Sequence, residues 1–172
     1  MKKSMKKTVL VLIMGIVLLA VFGPDAKAQV PKEGTISETC AYSGTAKALP
    51  MGQERLQITY ESMGVSLSDT GKGILHNASF RCLGAFHAVK GEYNDGSTSC
   101  VMIRPDGDQV FLTMKSYGKL GGGSKGTLTI VGGTGKLVGI QGSAEITTVD
   151  LRPAAEGTFQ GYNKWKGQYN LP

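Results

Sequence analysis

Between residues 56 and 61, apolar Leu56, Ile58 and Tyr60 alternate with polar Gln57, Thr59 and Glu61. That period of two predicts a β-strand with one face buried and one face wet. The same reading gives extended segments at 40–47, 74–90, 100–104, 109–117, 125–131, 143–151 and 157–166. Residues 62–71, rich in Gly and Ser, read as a break. Turn-forming residues separate the later segments at 91–97 (GEYNDGS), 105–108 (PDGD), 118–123 and 153–156. No helical period follows residue 28. About eight antiparallel strands predict an all-β fold, a sandwich or a single closed barrel. The barrel is preferred because it leaves no unpaired edge. At eight strands its interior is either filled by side chains or holds one small ligand.

The stretch GTLTIVGGTGKLVGIQG, residues 126–142, runs an alternating strand into closely spaced glycines and out into another strand. Glycine takes positive φ readily, so a tight reversal is expected there. Leu137 and Ile140 would then tuck beneath one end of the sheet. Gly135 and Lys136 form the GK pair of a phosphate-binding loop, but that motif needs glycine where Ile130 stands and Ser or Thr where Leu137 stands. Asp106 and Asp108 resemble the start of a calcium loop, yet its twelfth position holds Tyr117 rather than glutamate. A hairpin turn accounts for PDGD instead, and no metal or cofactor is implied.

The segment 74–90 carries both histidines. On an unbroken strand His76, Phe80, Cys82, Gly84 and Phe86 share one face, and Arg81, Leu83, Ala85, His87 and Val89 share the other. The phenylalanines mark the first face as interior. Tyr60, Phe80 and Phe86 are therefore the expected lining of any ligand cavity. In the opposite register Arg81 and His87 would enter the barrel, with Glu61 or Glu145 as a partner for the buried charge. That polar cluster would be the chain's candidate active site; otherwise no catalytic residue is identifiable.

Lys2, Lys3, Lys6 and Lys7 precede an apolar run at 9–22, followed by Gly23, Pro24 and the Ala26-Lys27-Ala28 pattern. This is the layout of a cleavable signal peptide over residues 1–28. A polar leader at 29–38 and a barrel domain at 39–172 would follow. Cleavage removes five positive charges and one negative charge from a net +6, leaving +2. The mature chain then lacks the basic face that nucleic-acid binding needs, and no stable membrane insertion is expected of it. The expected location is periplasmic or extracellular, where disulfides persist. A hairpin centred on Gly91 places Cys82 opposite Cys100 and predicts a bridge between them. Cys40 is left over, whether buried and inert, paired with another chain, or competing for one of the other two.

Cys82, Gly84 and Cys100, the Asp106-Gly107-Asp108 turn, and GGTGK at 132–136 followed by Gly139 and Gly142 together resemble small exported bacterial proteins of the allene oxide cyclase barrel-like, dirigent-related group. The resemblance covers residues 73–167. It implies the eight-stranded barrel and carries over no catalytic residue. Plant members hold a lipid-like or phenolic intermediate in an apolar cavity and steer its cyclisation or coupling. The expectation is a barrel that takes a small apolar ligand inside, leaning away from catalysis. The alternatives are an enzyme of the plant type and an envelope interaction protein with a solid barrel. Oligomeric state is not legible.

Overall fold

Eight strands carry the alternation around a closed circuit in a computed structural model that describes residues 30–172. The expected signal peptide and Gln29 lie outside the described residues. The strands are β1 (Glu33–Pro50), β2 (Arg55–Ser68), β3 (Ala78–Val89), β4 (Glu92–Ile103), β5 (Gln109–Lys119), β6 (Ser124–Gly133), β7 (Gln141–Leu151) and β8 (Thr158–Asn170). Each pairs antiparallel with the next, and β8 returns to β1, so the fold is a closed eight-stranded barrel. β1 meets β8 along Glu33 to Thr45 but meets β2 along Glu38 to Pro50. That stagger tilts the strands and lets the sheet close.

Several boundaries differ from expectation. Residues 33–38, read as part of a polar leader, begin β1, because Gly34, Ile36 and Glu38 alternate inward against β8. β2 runs through the expected break to Ser68. β3 starts only at Ala78, because residues 74–77 turn inward and bury Ile74 and Leu75 in the barrel end. His76 is therefore off the strand, where its Nδ1 accepts the Ser68 N–H at 3.1 Å.

The segment GEYNDGS is not the turn. Val89 pairs with Glu92 across a two-residue loop, Lys90–Gly91, with φ of 54° and 80°. Positive φ at both positions is the type I′ geometry that matches strand twist. Asn94 and Asp95 instead form a bulge in β4, two residues facing the single Tyr117 of β5. The bulge shifts the pairing by one residue and so sets Cys100, rather than Ser99, opposite Cys82. The two are disulfide-bonded, as the spacing predicted.

The two ends of the barrel differ. At one end Ile74, Leu75, Leu137 and Ile140 are all 5% exposed or less and stop the opening. Fully burying a side chain of this kind contributes roughly 1.5–3 kcal/mol. The glycine-rich reversal is held there by the PDGD turn: Asp108 accepts the Lys136 N–H at 3.1 Å, and Asp106 accepts Lys136 Nζ at 2.7 Å and Arg104 Nε at 3.2 Å. Gly135 has a φ of 55°, and a Cβ there would collide with the Asp108 carboxylate. Gly135→Ala is therefore expected to lower stability by about 2 kcal/mol, from left-handed strain and the displaced clasp, as read by urea denaturation.

Candidate functional site

The other end is open. Beneath it lies a cavity of about 390 Å³. Its walls follow from the alternation: every second residue of each strand faces in, and near this end those residues are aromatic on one side and hydroxylic on the other. Tyr42 of β1 and Tyr60 of β2 both contact Phe159 of β8, at ring separations of 6.1 and 5.9 Å. Tyr60 also lies 6.1 Å from Phe86 of β3, which stacks on Tyr93 of β4 at 4.2 Å. Gly84, opposite Tyr60, leaves room for that ring, which would clash with any Cβ there. Such offset and edge-on contacts fix rings in place as a preformed apolar wall.

Across from this arc, Ser124 Oγ donates to Thr148 Oγ1 at 2.9 Å, and Thr148 donates to Asn163 Oδ1 at 2.7 Å. With its carbonyl so engaged, Asn163 keeps its amide donors for a guest. The Tyr60 and Thr98 hydroxyls hydrogen-bond to each other. Burial raises the Tyr42 phenol well above its usual range, with Asp150 adding to the effect, and burial likewise raises Tyr60. Both remain neutral donors. Phe80, Cys82, Met114, Ile146 and Trp165, each buried, line the inner part of the cavity.

The structure thus brings Tyr60, Phe80 and Phe86 together in the cavity wall. Arg81 and His87, candidates for the interior only in the opposite register, both project outward and line no part of the cavity, since their strand keeps the register that turns Phe80 and Cys82 in. Arg81 Nε donates to Glu61 Oε1 at 2.5 Å on the outer surface, and His87 Nδ1 lies 2.7 Å from Asp95 Oδ2. No polar cluster of Arg81, His87 and a carboxylate occupies the interior. Among the described residues no three His, Cys, Asp or Glu side chains converge as metal ligands.

Sequence reading missed Glu38. It faces inward on β1 and is 3% exposed. Ser66 Oγ donates to its Oε2 at 2.9 Å, and Cys40 Sγ donates to Ser66 Oγ at 3.4 Å. Burial pushes its carboxyl up to about 7; the Ser66 bond opposes that shift and nearby Asp69 adds to it. The one available signal was its inward place in the Gly34-Ile36-Glu38-Cys40 alternation. Cys40 is a free thiol, fully buried, and burial pushes it up to about 12. A thiol this protonated is a poor nucleophile. In native protein at pH 8, Cys40 is expected to resist iodoacetamide, with one thiol reacting per chain only after denaturation; alkylation of the folded protein would contradict the buried placement.

Set against protein-family models, curated proteins and solved structures, the chain matches none.

Proposed function

We propose that the protein is an exported barrel that binds a small, largely apolar molecule in the open cavity. The observation that carries this reading is the one-ended cup: about 390 Å³ lined by seven aromatic residues, five of them in mutual ring contact, and open to solvent at one end only. That volume falls within the range of small-molecule sites, which are largely preformed and mostly apolar with a few placed polar groups. The Ser124-Thr148-Asn163 chain supplies those groups, so a guest with one or two oxygen functions suits the cup better than a pure hydrocarbon. The disulfide supports an oxidising location. The closed eight-stranded barrel is the architecture that the allene oxide cyclase barrel-like resemblance implies. With Arg81 and His87 on the outside, the Arg81–His87 cluster that would make the barrel an enzyme of the plant type is not in the cup, whose charged lining residues are Lys119 and Asp150. The hollow interior likewise disfavours a solid-barrel interaction protein.

Native mass spectrometry of the protein purified from its own cell envelope tests the reading. The expected result is a bound small molecule that organic solvent extracts. A chain at its bare mass that also takes up no apolar compound added afterwards would overturn it.

A further inference from the structure

Over the rim at the same end, β3 to β7 form a second concavity of about 830 Å³, which shares Tyr93, Lys119, Ser124 and Thr148 with the lining of the cup. It is built by the bulge. Two residues of β4 opposite one of β5 increase the local twist and re-aim the side chains around them. Tyr117, the residue facing the bulge, stands 55% exposed. Lys125 lies directly opposite Tyr117 on β6 and pairs in turn with Thr147 of β7, while Lys119 faces Glu92.

His87 enters the groove in a fixed orientation. The bulge interrupts the β3–β4 ladder around it, and Asp95 takes over by accepting the His87 backbone N–H at 3.0 Å and approaching Nδ1 at 2.7 Å. A carboxylate only accepts, so Nδ1 carries a proton and donates it to Asp95. The His87 hydrogen bonds in turn hold the Asp95 carboxyl below its usual range.

We infer that this groove is a binding site for an acidic saccharide, with Tyr117 as the plate for a sugar ring and Lys119 and Lys125 as the partners of a carboxylate. Three features of the lining select that chemistry. An exposed aromatic face offers its apolar surface to the C–H face of a pyranose and its hydroxyl to a polar edge. Glu92, Asn94, Thr147 and His87 around it mix acceptors with donors, as hydroxyl groups that do both require. Lys119 and Lys125 outnumber the single carboxylate in the lining, Glu92, while the Asp95 carboxylate is engaged by the His87 N–H and ring, which biases the groove toward an anion. A peptide adding as a strand finds no edge on a closed barrel. Two lysines fall well short of the several phosphate contacts that hold a nucleic acid.

Isothermal titration of the purified protein with trigalacturonic acid and with its methyl ester tests the site. The acid is expected to bind about tenfold more tightly than the ester. Tyr117→Ala should weaken both by about tenfold, and Lys119→Gln combined with Lys125→Gln should abolish the preference for the acid. Absence of saturable binding to either sugar, equal affinity for the two, or unchanged binding by Tyr117→Ala would overturn the assignment.

Discussion

At pH 8, Glu38→Gln is expected to melt about 10 °C above the unaltered protein, and at pH 4.5 to melt with it. Glu38 is buried against Ser66 and Cys40, and its carboxyl is raised from 4.5 to about 7. A folded-state value above the unfolded one means the native state holds the proton more tightly. The resulting stability is fully present below pH 4.5 and lost as pH rises through about 7. A displacement of that size corresponds to about 3 kcal/mol, or about 10 °C in a domain of this length. Glutamine keeps an acceptor for Ser66 and removes the ionisation. The groups facing Glu38 do not mask the effect: Ser66 does not titrate here, Cys40 is protonated throughout, and Asp69, held low by the Ser37 and Thr39 hydroxyls, titrates below this window. Asp95 and Asp106 are lowered too, Asp106 to about 2, so their contributions are lost only in stronger acid. A melting profile flat between pH 4.5 and 8 in the unaltered protein would contradict the buried placement of Glu38.

Replacing both disulfide cysteines, Cys82→Ala with Cys100→Ala, is expected to lower stability by about 3 kcal/mol in urea denaturation while leaving the barrel intact. The bridge joins residues 18 apart across β3 and β4, and in the chain-entropy model a loop of that size accounts for about 3 kcal/mol. Each cysteine is only 4% exposed, so the double variant also leaves small voids beside the cavity floor. Register should persist, because the Lys90–Gly91 turn and the bulge at Asn94 and Asp95 fix it independently of the bridge. A loss under 1 kcal/mol would show that the hairpin is already closed in the unfolded chain.

The barrel and the inward face of β3 were legible because Phe80, Cys82 and Phe86 alternate cleanly against Arg81 and His87. The start of β1 was not, because Glu38 is a charged residue type at an inward position and breaks the apolar period that marks a strand. The β4 bulge was hidden because Asn, Asp and Gly serve turns and bulges alike, so NDG read as the reversal that Lys90–Gly91 makes instead. The pairing of Cys82 with Cys100 emerged correctly because a hairpin centred on Gly91 gives the same alignment as a turn one half-residue earlier plus one bulged residue. Of the cavity, the aromatic residues Tyr60, Phe80 and Phe86 could be named from alternation. Its open end, the Ser124-Thr148-Asn163 chain and the reach of Tyr42 and Phe159 depend on which strands meet across the interior, which no local pattern encodes.

Trp165, the only tryptophan in the chain, lines the inner end of the cup and is 2% exposed. An apolar fluorophore seated above it must lie within energy-transfer range. Titrating the protein with 1-anilinonaphthalene-8-sulfonate while exciting Trp165 is therefore the most direct measurement. Saturable energy transfer at one site per chain, abolished by Gly84→Val, which drives the Tyr60 ring into the cavity, is the predicted result. Transfer that fails to saturate, or that survives Gly84→Val undiminished, would contradict a ligand-binding cup.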